Sequence, residues 1–192
     1  MSVTEDIERS VTQSAGTISG LKAFSSVIAA AGTGIVQALK SGHKVLTAGN
    51  GGSAAEALHM SEELVGRFKS NRIPLPGIAL VADATALTCI GNDFGFDFVF
   101  SRQIEGLGKA GDILVLFSTS GNSENLIKAL ESAHKKDIRT VCLLGRNGGK
   151  LAGKGTWQII VPGEETSRIQ EAHQVILHIL LEMVEKAFDT PS

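Results

Sequence analysis

His59 and Glu63 stand four residues apart in a stretch of helical period, so their side chains share one helix face. An imidazole and a carboxylate at that spacing can chelate a divalent cation. The pair alone is a weak signal, and Glu62 beside it favours a solvated helix face, which often carries two glutamates. A second group lies near the C-terminus: Gln170, Glu171, His173 and His178, with His178 interrupting the most apolar stretch, Val175–Val184. A lone imidazole there is ordinarily a satisfied core residue. What points to chemistry is company, since two apolar helices each carry a misplaced imidazole near a carboxylate or amide. Gln170 and His178 would lie ~12 Å apart along a helix axis. One ion could touch both only through leaning side chains or from different subunits.

Two further turns suit phosphate. Gly49-Asn50-Gly51-Gly52-Ser53 follows the apolar run Lys44–Ala48, and Ser118-Thr119-Ser120-Gly121-Asn122-Ser123 follows Asp112–Phe117. Helix N-termini after strands offer backbone N–H groups and a positive dipole end. Glycines permit close approach and hydroxyls add donors. Phosphate is expected among Ser53, Ser118, Thr119, Ser120 and Ser123, against the alternative that these serines only form turns and caps, Ser53 and Ser123 as helix N-caps. Gly91-Asn92-Asp93-Phe94-Gly95-Phe96 follows a short helix, Ala84–Ile90, and reads from spacing as a capping turn. Arg67 and Arg72 flank the end of the His59 helix, and either bind phosphate or offset the helix dipole.

The elements that must position these groups are five buried strands: Lys44–Ala48, Gly77–Val81, Asp112–Phe117, Thr140–Leu144 and Gln158–Val161. Helices of 3–4 period alternate with them, notably Ser53–Lys69 and Ser123–Lys136. The alternation implies an α/β fold: a parallel sheet between two layers of helices. Two N-terminal helices, Val3–Ala15 and Leu21–Lys40, are expected before the first strand. A long helix, Glu165–Phe188, follows the last. It is apolar nearly all round, so a partner subunit is expected to cover what the sheet cannot. The reading is one domain, 1–192, with a helical segment 1–41 and an α/β core with C-terminal helix 42–188.

Composition narrows the classes. The 192 residues are 43% hydrophobic and 20% charged, with a net charge of −2 and scattered lysines and arginines. That gives no nucleic-acid signature. The acidic N-terminus lacks a signal-peptide core, and no membrane span is expected, so a cytoplasmic location is the expectation. Cys89 and Cys142 sit in apolar contexts and read as buried free thiols. A dinucleotide fold fits poorly: Gly49–Ala54 matches G-x-G-x-x-A, but Leu64–Ala82 holds no acidic residue for a ribose.

Taken together, Gly49–Ala55, His59, Glu62-Glu63-Leu64, Gly66-Arg67, Gly91–Phe96, Ser118–Ser123 and Arg168-Ile169-Gln170-Glu171 with His173 and His178 resemble the sugar isomerase (SIS) domain family. Within it they are similar to the phosphoheptose isomerases. The blocks run in the family's order over about residues 40–188. The resemblance implies a three-layer αβα, flavodoxin-like domain with a five-stranded parallel sheet, assembled as a homotetramer with sites near subunit interfaces. It implies conversion of a phosphorylated seven-carbon sugar, sedoheptulose 7-phosphate, into the aldose D-glycero-D-manno-heptose 7-phosphate. That product feeds bacterial heptose pathways for surface glycans such as lipopolysaccharide. It implies one zinc per subunit on His59, Glu63, Gln170 and His178. Substrate would be bound by Asn50, Gly51, Gly52, Ser53, Glu63, Asn92, Asp93, Ser118, Thr119, Ser120, Ser123 and Gln170. Isomerisation needs a base on carbon and an acid–base partner on oxygen, and Glu63 and His178 are the expected pair. The rivals are a non-catalytic sugar-phosphate-binding or replication-initiator-associating regulator of the same fold, and an isomerase of another phosphosugar.

Overall fold

Five strands, β1 Val45–Gly49, β2 Gly77–Ala79, β3 Ile113–Ser118, β4 Arg139–Gly145 and β5 Trp157–Val161, form one parallel sheet in the order β2-β1-β3-β4-β5. The chain is described by a computed structural model over residues 2–189; Met1 and 190–192, within the expected 1–192 domain, lie outside the described residues. β1 and β3 are buried throughout. Their alternating side chains feed two cores, as a two-residue period requires. Val45, Ile113, Val115 and Phe117 join α2 (Ser25–Lys40), α3 (Gly52–Val65) and α7 (Thr166–Phe188) on one face. Leu46, Ala48, Leu114 and Leu116 join α5 (Ser101–Leu107) and α6 (Glu124–Lys135) on the other. The result is the three-layer α/β arrangement that the strand–helix alternation implies.

Several elements depart from the expectations. α1 runs unbroken from Val3 to Gly20, and a 3-10 turn at Leu21–Phe24 joins it to α2. Gly16 does not end it, because exposed glycine weakens a helix without stopping it, and the α-helix instead runs on to Gly20. The helical run Val3–Lys40 is long and apolar enough by composition to cross a bilayer. In the fold, however, Ile28, Ala31, Ile35, Ala38 and Leu39 of α2 belong to the core. α4 extends to Phe94, past the expected turn, since the stop is Gly95 at φ 92° rather than Gly91. α3 stops at Val65, and Gly66 donates its N–H to the Glu62 carbonyl. α5 was not anticipated. Cys142 is buried, as expected, but Cys89 is exposed on α4 because Leu87 and Ile90 take the core-facing positions.

α7 buries Ile169, Ala172, Ile176, Leu177, Leu180, Leu181 and Val184 within its own chain. The first-layer helices α2 and α3 therefore supply much of the cover assigned in advance to a partner. Val175, Ile179 and Met183 border an apolar groove with Ile18, Leu21 and Ile28.

Candidate functional site

β1 and β3 lie side by side, in register from Val45↔Ile113 to Gly49↔Phe117. From their carboxyl ends the chain departs in opposite senses, toward β2 on one side and β4 on the other. That divergence leaves a crevice where open α/β sheets bind ligands. α3 and α6 both begin there.

Asn50, Gly52 and Ser53 line this crevice with Ser118, Thr119, Ser120, Ser123, Thr166 and Gln170. Gly51 caps α3 at φ 58°, a conformation that favours glycine. Gly52 is held to glycine by proximity: a Cβ there would lie 2.4 Å from Gln170 Nε2. The side-chain amides of Asn50 and Asn125 exchange two hydrogen bonds of 2.9 Å and tie the first loop to the first turn of α6. The hydroxyl oxygens of Ser118 and Ser120 accept from the N–H groups of Gly121 (3.0 Å) and Asn122 (3.2 Å). Each hydroxyl keeps its own proton to donate to an anion. Ser53 lies inside the first turn of α3 rather than capping it, and Ser123 is the N-cap of α6 without a side-chain capping bond. Neither serine is consumed as the cap proposed for it.

The second cluster adjoins the first. His59 Nε2 donates to Glu63 Oε1 at 3.2 Å across one turn of α3. From α7 the His178 ring meets His59 edge to face, with centroids 5.3 Å apart. Phe68 stacks on the His178 ring at 5.6 Å. Gln174 Nε2 lies between the two imidazoles, 2.6 Å from His59 Nδ1 and 3.2 Å from His178 Nε2. One amide donor thus faces two imidazole lone pairs, and a cation placed there would be held by the same two lone pairs. His59, Glu62 and Glu63 also offer donor atoms within 4.8 Å of one another. Imidazole nitrogen with carboxylate oxygen is a donor set that suits zinc. Burial pushes the His178 pKa down and the nearby His59 adds to this, against the opposing pull of Glu63 and Glu182.

His59, Glu63 and His178 are therefore brought together. Gln170 lies against Gly52, bordering both the loop crevice and the opening beside His59. Asn92 and Asp93 are on the exposed last turn of α4, bonded to each other at 2.8 Å, and do not line the crevice within this chain. Arg72 is buried: it donates to the Leu64 and Glu63 carbonyls at the end of α3 and pairs with Glu185 at 3.0 Å. That decides its role for helix-end capping rather than phosphate. Arg67 is exposed. The sequence reading missed Asn125, Thr166 and Gln174. Of these, Gln174 carried a signal, for it precedes His178 by the same four-residue step that separates His59 and Glu63.

Glycine loops at a sheet switch point beside an imidazole–carboxylate cluster define a ligand-binding α/β domain, and the chain belongs to the SIS domain family, whose model matches residues 12–145. Within that family its similarity is to phosphoheptose isomerases. It is 50% identical to the phosphoheptose isomerase of a Nitratiruptor species, over 80% of this chain and 82% of that one. It is 53% identical to that of Aquifex aeolicus, over 79% and 80%. The solved phosphoheptose isomerase of Neisseria gonorrhoeae superposes with a TM-score of 0.91 at 38% identity, over 96% of this chain and all of that one.

Proposed function

We propose that this protein is an aldose–ketose isomerase that converts sedoheptulose 7-phosphate into D-glycero-D-manno-heptose 7-phosphate for heptose biosynthesis. The observation that carries the reading is the convergence of Glu63 and His59 from α3 with His178 from α7, beside a hydroxyl-lined crevice. The phosphate is held by Ser53, Ser118, Thr119, Ser120 and Ser123 together with the α3 and α6 N-termini. Asn50, Gly51 and Gly52 shape the same end. Gln170 stands between phosphate and reacting carbons. Asn92 and Asp93 contact substrate in the assembled oligomer.

The reaction moves one proton between C1 and C2. Glu63 removes a proton from C1 of the ketose, and the C2 carbonyl oxygen gains one from His178. The resulting enediol loses its C1 hydroxyl proton back to His178 and receives at C2 the proton held by Glu63, giving the aldehyde at C1. His59 orients Glu63 through their hydrogen bond. His59, Glu63, Gln170 and His178 would hold one zinc per subunit, which would supply Lewis-acid polarisation of the sugar carbonyl. A carboxylate has two oxygens and an imidazole two nitrogens, so each group can bind an ion through one atom and handle a proton at the other.

The exposed apolar residues Val3, Ile7 and Val11 on α1, with Phe94, Phe96 and Phe98, support a homotetramer that buries them. Two free thiols accord with a reducing cytoplasm. We read 1–192 as a single SIS domain. Turnover on sedoheptulose 7-phosphate, compared with hexose and pentose phosphates, tests the function. The seven-carbon ketose is expected to give the highest kcat/KM. Binding of phosphosugars without turnover would make the chain a regulator instead.

A further inference from the structure

Beneath the site, α3 and α7 present a second pair that the isomerase chemistry does not use. Glu56 lies on α3 three residues before His59, and His173 lies on α7 between Gln170 and His178. Their side chains are 7% and 0% exposed, and Glu56 Oε2 is 3.9 Å from His173 Nδ1. Both Glu56 oxygens and His173 Nδ1 are buried without a hydrogen-bond partner. Buried polar atoms left in that condition are costly and rare.

The other face of the ring fixes its protonation. His173 Nε2 meets the Leu144 carbonyl oxygen at 3.1 Å. A carbonyl only accepts, so Nε2 carries the proton. In a neutral ring Nδ1 is then a lone pair that needs a donor, and the group facing it is a carboxyl. Burial drives both partners to their uncharged forms. It pushes the Glu56 pKa up to about 7, with the Ser53 hydroxyl opposing in part. It pushes the His173 pKa down to about 4, against the Leu144 hydrogen bond.

We infer that Glu56 is a positioning residue: as a carboxylic acid it closes the 3.9 Å gap to His173 Nδ1 by a small side-chain adjustment and donates to it, completing a chain from α3 through the imidazole to the Leu144 carbonyl of β4. The unit locks the helix that carries His59 and Glu63 against the helix that carries Gln170 and His178. This role depends on the isomerase reading for its turnover arm alone.

The test uses the full-length protein. Infrared spectra at neutral pH are expected to show a protonated-carboxyl band in wild type that is missing from Glu56→Gln. Nitrogen-15 NMR is expected to show His173 as the neutral Nε2–H tautomer, with Nδ1 accepting. Glu56→Gln, whose amide N–H can still donate, keeps most of the turnover and zinc affinity. Glu56→Leu, which cannot, loses ~10–100-fold in kcat or zinc affinity, the range for removing a group that supports ligands. An imidazolium at His173, no protonated carboxyl, an unimpaired Glu56→Leu, or a Glu56→Gln as impaired as Glu56→Leu would each overturn the role. If Glu56→Leu does not fold, Glu56→Gln and the two spectra decide. If wild type turned over no sedoheptulose 7-phosphate, the isomerase reading would fail, while the spectra and zinc affinity would still decide the role of Glu56.

Discussion

The His59 and His178 rings meet edge to face, 81° between their planes, and so join the helix after β1 to the helix that ends the fold. Gln174 donates to both rings, whereas Gln170 packs on Gly52. Zinc affinity separates the two amides. Gln170→Ala is expected to weaken zinc binding roughly tenfold or more, while Gln174→Ala leaves zinc bound. Titration of zinc into metal-stripped protein checks this, and the reverse ranking would transfer the ligand role to Gln174.

The phosphate loops make a kinetic prediction. The Ser120 hydroxyl accepts from the loop backbone and keeps its proton for substrate. Ser120→Ala should raise KM about tenfold, the worth of one hydrogen bond to a charged group, with kcat changed less. Gly52→Ala should also raise KM, because its methyl group displaces Gln170. Steady-state kinetics on both variants is the check, and an unchanged KM for Ser120→Ala would remove that serine from the phosphate site.

Glu56 and His173 pull stability in opposite directions with pH. The unfolded chain binds the extra proton at His173 between the folded pKa of about 4 and its ordinary 6.5, so that contribution is lost as pH falls through this window. The folded protein binds the extra proton at Glu56 between the ordinary 4.5 and about 7, so that contribution is lost as pH rises. The two slopes largely cancel between 4.5 and 6.5. Glu56→Gln removes one of them. Its stability should climb with pH across this range relative to wild type, by at most about 1.4 kcal/mol per pH unit. Urea unfolding at several pH values measures the difference, and parallel profiles would contradict it.

Arg72 and Glu185 anchor the loop after α3 to α7. Burial pushes the Glu185 carboxyl up, but hydrogen bonds from Ser70, the Lys69 N–H and Arg72 outweigh it and hold the group below the usual carboxylate range. The Arg72 side chain is wholly buried. Arg72→Met should cost about 3 kcal/mol, because it takes the cation from a buried carboxylate that keeps only its Ser70 and Lys69 donors. Glu185→Leu combined with Arg72→Met should recover part of that loss. Denaturant unfolding of the single and double variants checks both statements.

Much of this was legible in the sequence. Apolar runs of strand length gave the five strands, and Gly51, Gly52 and the serines marked both loops. His59 and Glu63 stood out because an i, i+4 pair is a local relationship. Less local facts were hidden. Gly16 and Gly91 look like stops, yet helix continuation there depends on neighbouring turns. The exposure of Cys89 depends on which face of α4 meets the core. The cover of part of α7 by α2 and α3 is a tertiary fact that periodicity does not show. Arg72 could not be assigned before its partner Glu185 was placed beside it. Asn125 was silent because its partner, Asn50, lies on the loop after β1, far away in sequence.

The most direct test is proton NMR of sedoheptulose 7-phosphate in heavy water with wild type and Glu63→Gln side by side. Wild type is expected to generate aldose anomeric signals, with deuterium entering at C2 as the base exchanges its proton. Folded Glu63→Gln should be slower by ~10²–10⁴-fold, the range of a positioned general base. Absence of aldose with the wild-type protein, or a Glu63→Gln variant as fast as wild type, would contradict the account.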